Sequence, residues 1–483
     1  MVGIVAFGAY VPRMRLQRSA VVAANSWFNS ALKSHAKGEK AVANWDEDSI
    51  TMAVEAARDS LNGQDREAIG ALFLASTTLP FADRQNAAIV KEALNLGDHV
   101  ATLDVGGSRR CGVSALIQAV ASAASDGTTR LCVASEKPKD RPASESELTH
   151  GDAAAAFVVG AQREIARHLA SYTLSADFVD HFRAQGRDYD YEWESRWIRD
   201  EGYGKLAPQA VAGVLRRADL RADQIDVFIL PTSIRGLAAA IAKQCGIRSA
   251  AVADDLGAVL GNCAAAHPLV MLARSLETAA AGQRILVAGF GSGCDAIVFE
   301  RTDAAASPGP LLGVDGWLAR RKPESNYVKY LCLRGQLDIE RGMRAEFDQK
   351  QPLTALWRSR KTVLGLVGGR CTQTGAVQFP RSQIGVSPNN HAIGTQEDYP
   401  LADRKARILT YTADHLTYTP DPPACYGMIE FDGGGRMHAE FCDLEPEDVE
   451  VGREMRMMFR IKAVDAQRGF IRYFWKATPA ESS

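Results

Sequence analysis

The chain has 483 residues, of which 46% are hydrophobic and 24% charged, and its formal net charge is −2. That composition belongs to a globular protein with apolar material for two or three domains. The balanced charge speaks against a nucleic-acid partner, which calls for a basic face. No apolar run approaches the ~20 residues of a membrane helix, so no membrane partner is expected. The N-terminal MVGIVAFGAYVPRMRL has no basic region ahead of its apolar run and soon meets Pro12, so it does not read as a signal peptide. Nine cysteines are scattered with no CxxC pair. They read as reduced thiols of a cytoplasmic protein, not as a disulfide frame.

Taken in chain order, Gly3–Val11 reads as a glycine-punctuated strand closed by Pro12. Ala20–Lys33 is apolar at helical spacing and carries Trp27 and Phe28. The polar stretch Trp45–Ile50 offers Asp48 or Ser49 as the N-cap of a helix over Thr51–Leu61. ALFLAS, Ala71–Ser76, is wholly apolar, as strands covered on both faces are. A helix is expected over Ala87–Leu94. RLCVAS, Arg130–Ser135, is another buried strand. Lys137–Thr149 reads as a charged surface loop with Pro138 and Pro142, and GDAAAAFVVG, Gly151–Gly160, as a small-residue turn entering a strand.

The chain is organised around ATLDVGGSRRCGVSALIQAV, Ala101–Val120. Ala101–Val105 reads as strand, Gly106 and Gly107 as a sharp turn, and Val113, Leu116, Ile117 and Val120 as one apolar helix face. Such a turn sets one side chain at the N-terminus of a buried helix. Backbone N–H groups and the helix dipole there favour an anionic nucleophile or a developing oxyanion. Ser108, Arg109, Arg110 and Cys111 are the candidates. A thiol in that place would have a lowered pKa and act as a nucleophile. The other reading is a structural turn with an inert buried cysteine.

Much of this pattern recurs downstream. IDVFIL, Ile225–Leu230, resembles IGALFL, Ile69–Leu74. LGNC, Leu260–Cys263, precedes an apolar helix through Leu276, and RILVA, Arg284–Ala288, resembles RLCVA, Arg130–Ala134. Phe73 to Phe228 is 155 residues, Gly107 to Gly261 is 154 and Val133 to Val287 is 154. Three elements at one offset indicate a duplicated sheet-and-helix unit. The halves are expected to bring Gly107 and Gly261 face to face. An insertion, Asp177–Tyr203, separates them and holds Phe178, Phe182, Tyr189, Tyr191, Trp193, Trp197 and Tyr203. It is either a helical excursion packing on the core or a second subunit, or a wall of a substrate pocket. The weight of aromatics in cores and interfaces favours the first.

AAASPGP, Ala304–Pro310, has the composition of a linker. Trp317–Gln351 is charged at helical spacing, and Val363–Pro380 is rich in Gly and turns. Arg407–Tyr418, Gly427–Phe431, Arg436–Phe441, Glu454–Ile461 and Phe470–Trp475 are strand candidates. Short strands between such turns imply a small β-barrel.

A duplicated unit with a strand–turn–helix site describes the thiolase superfamily. GIVAFGAYVPRMRL, DEDSITMAVEAARDSL, GDAAAAFVVG and QRILVAGFGSGCDA resemble the 3-hydroxy-3-methylglutaryl-CoA synthase family over about residues 1–300. GGRCTQTGAVQFPR, ARILTYTADHLTY and EFCDLEPEDVEVG resemble the DUF35-type OB-fold domain that accompanies thiolase-type enzymes. The fold class implied is α/β: a duplicated thiolase-like αβαβα core followed by a small all-β OB-fold barrel. The domains expected are two thiolase-fold halves, 1–165 and 166–303 with the insertion 177–203, a linker and helical hook over 304–350, and an OB-fold over 351–483. The resemblance also implies a pantetheine tunnel, an acyl-CoA partner and a homodimeric core.

Matched to the synthase family, the chain departs at the chemistry. The family's cysteine position is Arg109, with Cys111 two further on. Its histidine position is Pro231, its general-base glutamate position is Thr77, and only Asn262 keeps its identity. The expected site has Cys111, Asn262 and Ser108 as catalytic residues and Arg109, Thr77, Gly291 and Ser292 as substrate-binding residues. Tyr203 or another insertion tyrosine is a candidate base, His267 is expected in packing, and His150 lies nearer a pocket rim. The zinc hook is broken: Cys371 stands with Thr374 where its partner should be, and His391 would not complete four ligands. No zinc or other cofactor is expected beyond the coenzyme A thioester. The function implied is C–C bond formation or cleavage on an acyl-CoA, by condensation or retro-aldol chemistry. The alternative is a non-catalytic acyl-CoA-binding subunit of a larger complex.

Overall fold

The computed structural model describes residues 2–304, 308–346, 350–390 and 392–480. They divide into two compact units. One holds Met1–Asn44, Asp48–Lys91 and Leu96–Tyr327; the other holds Trp45–Glu47, Glu92–Asn95 and Val328–Ser483.

A nine-stranded sheet underlies the first unit. From edge to edge its strands are Val227–Ile229, Arg284–Phe290, Gly293–Arg301, Ala166–Ser175, Gly3–Tyr10, Ala153–Gly160, Thr129–Glu136, Ile69–Ala75 and Ala101–Val105. The two halves of that order repeat one topology outward from a junction where Gly3 and Ile4 pair with Arg167 and Ala166. Ile69–Ala75 runs parallel to Thr129–Glu136, as Val227–Ile229 does to Arg284–Phe290. Phe73 pairs with Leu103 in parallel register, and its equivalent Phe228 pairs with Val252. The duplication read from the sequence is therefore a duplication of the fold.

The helices Cys111–Asp126 and His267–Thr278 pack on each other and on strands of both halves, forming the middle layer. Gly112 lets the first of them approach the 3-10 turn Ala264–Ala266 that leads into the second: a Cβ there would meet the Ala265 carbonyl oxygen at 2.2 Å. Ser49–Ser60 covers the first half and Gly204–Ala218 the second, which completes five layers. The first of these begins where expected because Asp48 Oδ1 accepts from the Ile50 and Thr51 amides at 2.9 Å, while Thr51 Oγ1 accepts from the Asp48 amide at 2.8 Å. Every residue of that helix is buried.

Three local expectations change. Ala20–Lys33 is not one helix: an α-helix, Arg18–Asn25, and a 3-10 helix, Ser30–His35, flank exposed Trp27 and Phe28. The loop Lys137–Thr149 contains a short helix, Glu145–Thr149. The 304–350 segment is divided, because Leu312 and Gly313 amides donate to Asp59 at 2.8 and 3.1 Å and hold the Gly313–Ala319 helix in the first unit.

In the second unit, five antiparallel strands run in the order Arg436–Glu440, Ala424–Phe431, Ala406–Asp414, Glu454–Asp465 and Phe470–Pro479. Phe441 bridges Ala477, which joins the two edges into a barrel. Ile408, Ile429, Phe431, Met457, Phe459 and Trp475 fill it. Val377–Gln378, Val367–Cys371 and Gln396–Pro400 form a smaller sheet. No helix among the described residues is long and apolar enough to cross a membrane.

Candidate active site

The turn after Ala101–Val105 is anchored on both sides. Ser108 Oγ donates to the Gly291 carbonyl at 2.6 Å. Arg110 Nη1 pairs with the buried Asp295 carboxylate at 2.9 Å and also donates to the Leu174 carbonyl at 3.2 Å. Between these anchors Arg109 faces a pocket that it shares with His150, Asp180, Glu192, Tyr203 and Asn262. All are residues of the first unit.

The second half enters this pocket through its own glycine turn. Gly107 and Gly261 have matching positive φ, +83° and +85°. Their surroundings differ. A Cβ on Gly107 would meet nothing within 4 Å, whereas one on Gly261 would meet His150 and Gly151 backbone at 2.9 Å. A Cβ on Gly151 would meet the Leu260 carbonyl oxygen at 1.9 Å. Two glycines thus permit a backbone bridge between His150 and Asn262. In that bridge the Asn262 amide donates to the Thr149 carbonyl at 2.8 Å, and the Gly151 amide donates to the Asn262 carbonyl at 3.0 Å.

His150 and Asn262 are both oriented. His150 Nδ1 lies 2.7 Å from Asp140 Oδ1, and both side chains are 3% exposed. That bond leaves Nε2 as the ring nitrogen free for proton transfer. Asn262 Oδ1 accepts from the Ala264 amide at 2.9 Å, which turns Nδ2 toward Ser233 Oγ, 3.3 Å away in the same pocket.

Arg109 is held by the insertion. Its Nη2 lies 3.4 Å from Asp190 and 3.3 Å from Glu192. Burial alone would weaken its charge, but Glu192, Asp180 and Asp190 outweigh that and raise its pKa. Burial likewise pushes the Asp180 carboxyl up, and the His181 hydrogen bond with the Arg109 charge brings it below the usual range. Arg183 pairs with Asp190 and donates to the Thr77 carbonyl, so the insertion hairpin is tied to the strand end. The insertion supplies Asp180, Glu192, Trp193, Ser195, Ile198 and Tyr203 to the pocket. Both readings of it hold: Phe178 and Tyr203 pack on the core against Phe290, while Trp193 and Tyr203 wall the pocket.

Other expected site residues stand elsewhere. Cys111 is 2% exposed and absent from the pocket lining, and burial raises its thiol pKa well above the ordinary value instead of lowering it. Ser108 and Gly291 form the anchor behind the turn, the Ser292 carbonyl accepts from the Ala176 amide, and none of the three lines the pocket. Thr77 does not line it either; its amide donates to Glu136 Oε2 at 2.9 Å. The carboxylate at that corner is therefore Glu136, from the neighbouring strand, whose pKa burial raises. Tyr203 is a poor base: burial raises its pKa, and its hydroxyl donates to the Pro231 carbonyl at 3.2 Å. His267 is in packing as expected. Its Nδ1 accepts from the Cys263 amide, its Nε2 donates to the Asp255 carbonyl, and burial lowers its pKa to about 4.

In the second unit Cys371 Sγ lies 3.2 Å from Thr395 Oγ1, and hydrogen bonds from Thr374 and Thr395 lower its pKa to about 7. Two hydroxyls beside one thiol do not fit a four-ligand zinc site. His391 lies outside the described residues, among which no group of three metal-ligating side chains occurs.

Residues 215–300 match the family described as 3-oxoacyl-[acyl-carrier-protein] synthase III C terminal, and residues 399–460 match the ChsH2 C-terminal OB-fold domain. The hydroxymethylglutaryl-CoA synthase of Aeropyrum pernix is 31% identical over 348 residues, 70% of this chain and 96% of that protein. The chain belongs to the hydroxymethylglutaryl-CoA synthase family. The Methanothermobacter thermautotrophicus synthase is 29% identical, across 70% of this chain and 99% of its own. A crystal structure of HMG-CoA synthase complexed with CoA shares the fold with a TM-score of 0.61 at 18% identity, over 72% of this chain and 95% of its own. The 3-oxoacyl-[acyl-carrier-protein] synthase III of Aquifex aeolicus superposes with a TM-score of 0.55 at 19% identity, over 62% of this chain and all of its own. Arg109, which the sequence reading set at the family's cysteine position, faces the pocket. Reading the sequence set His150 near a pocket rim but missed its partner Asp140. The one signal for His150 was its place beside the small-residue GDAAAA turn.

Proposed function

We propose that the first unit forms or cleaves a C–C bond on an acyl-CoA thioester without an acyl-cysteine, with His150 as the base and Asp140 as its positioning residue. The observation that carries this reading is the bridge of His150 to Asn262, which sets a base and an amide donor side by side in one pocket. In the forming direction, His150 Nε2 takes a proton from the α-carbon of the thioester. The electron pair moves onto the carbonyl oxygen, and the Asn262 Nδ2 donor stabilises that enolate. The enolate carbon then attacks a second carbonyl, and His150 returns the proton to the new alkoxide. Cleavage is the same sequence reversed: His150 takes the β-hydroxyl proton, the Cα–Cβ bond breaks toward the carbonyl, and the enolate is reprotonated at Cα.

Arg109 at the cysteine position, with Cys111 buried beneath the turn, supports chemistry in which no thioester exchange occurs. The exposed edge strand Ala101–Val105, with Leu103 44% exposed, supports a homodimer joined along that edge. Nine free thiols support a reducing, cytoplasmic setting. The OB-fold unit would guide the CoA thioester.

The test is α-proton exchange. Acetyl-CoA is incubated with the full chain in D2O, and the methyl signal is followed by proton NMR. Loss of that signal, abolished in His150→Gln, is the expected result. Binding of CoA without exchange would instead favour the acyl-CoA-binding subunit. Denaturation-stable label from radiolabelled acetyl-CoA, lost in Cys111→Ala, would overturn the proposal.

A further inference from the structure

Within that acyl-CoA reading, the pocket also carries information about the acyl group. Its wall contains Trp193, Ile198, Tyr203, Pro231, Ile234 and Phe290, with the Tyr203 and Phe290 rings stacked at 4.0 Å. Arg109 is the one Lys or Arg lining it among the described residues. That guanidinium is already matched: Glu192 and Asp190 sit 3.3 and 3.4 Å from it, Asp190 also pairs with Arg183, and Asp180 adds a carboxylate that its surroundings keep ionised, so three carboxylates face two guanidinium groups. Asp180 is itself 7% exposed, so its charge is poorly screened by water.

We infer that the acyl group accepted here is uncharged and apolar, and that an acyl chain ending in a carboxylate is rejected. An apolar chain gains contact with the aromatic and proline wall and leaves the Arg109–Asp190–Glu192 cluster intact. A terminal carboxylate would have to displace one of those carboxylates from Arg109, or lie beside Asp180 and Glu192 with no cation left to face it. The insertion thus acts through charge as well as shape, by repelling the wrong ligand.

The experiment is calorimetric titration of the full chain with CoA, valeryl-CoA and glutaryl-CoA, the last two differing at the acyl end by a methyl group against a carboxylate. Valeryl-CoA is expected to bind at least about tenfold more tightly than glutaryl-CoA at low salt. In Glu192→Gln, at a half-exposed position, the gap should narrow through tighter glutaryl-CoA binding. If CoA binds and glutaryl-CoA equals or exceeds valeryl-CoA, the uncharged-acyl assignment falls while the thioester reading stands. If CoA and both thioesters give no heat and do not shift the melting temperature, the thioester reading falls and takes this inference with it.

Discussion

His150 and Asn262 are partners in a parallel backbone bridge, one from each half of the duplicated fold. The same His150 has its Nδ1 2.7 Å from Asp140. Removing the carboxylate should therefore disturb the tautomer and aim of the ring without emptying the site. Asp140→Asn is expected to slow α-proton exchange by roughly 10–100-fold, and His150→Gln by about 100-fold or more, with CoA affinity unchanged in both. NMR exchange rates and calorimetry on the same samples check this.

Cys111 packs under the turn and is 2% exposed. Cys111→Ala should keep the exchange activity and cost about 1 kcal/mol of stability, the scale of a small buried deletion. Urea denaturation measures the second quantity. Native-state alkylation offers a further check, since the buried thiol should react only after unfolding.

Gly112, in the first turn of one central helix, stands against the 3-10 turn Ala264–Ala266 that leads into the other, and an added Cβ would lie 2.2 Å from the Ala265 carbonyl oxygen. Backbone cannot step aside as a side chain can. Gly112→Ala should destabilise by about 3 kcal/mol or more, despite the better helix propensity of Ala. A lower denaturation midpoint and loss of exchange activity are expected together.

His267 is buried, and burial lowers its pKa to about 4. The unfolded chain binds that proton near pH 6.5, the folded chain only near 4. This group's contribution is therefore present above about pH 6.5 and is lost as the pH falls toward 4, by roughly 3 kcal/mol at most. Urea midpoints of the wild type should fall across that window, and His267→Gln should flatten the fall.

The edge strand Ala101–Val105 exposes Leu103. Leu103→Lys should shift the chain from dimer to monomer in light scattering while leaving the circular dichroism spectrum unchanged. A wild type that is already monomeric would remove the edge-to-edge dimer from the proposal.

Much of the framework is legible from local patterns. Wholly apolar runs such as Ile69–Leu74 and Ile225–Leu230 mark strands covered on both faces, and their repeat at one offset marks the duplication. Asp48 marks a helix start because its side chain bonds amides two and three residues on. The insertion was harder to read, since aromatic content alone does not tell a core from a pocket wall. Its role depends on Arg183 and Asp190 reaching Thr77 and Arg109, residues far apart in the chain.

What the amino-acid order determined by itself was the division into a duplicated α/β core and a β-barrel, and the turn at which chemistry would sit. Only the tertiary structure decided which side chain of that turn meets a ligand. Successive residues entering a helix point about 100° apart. Ser108 on Gly291 and Arg110 on Asp295 fix that rotation, which aims Arg109 at the pocket and Cys111 at the core. Both anchors come from the other half of the fold, so no local stretch of sequence carries the phase.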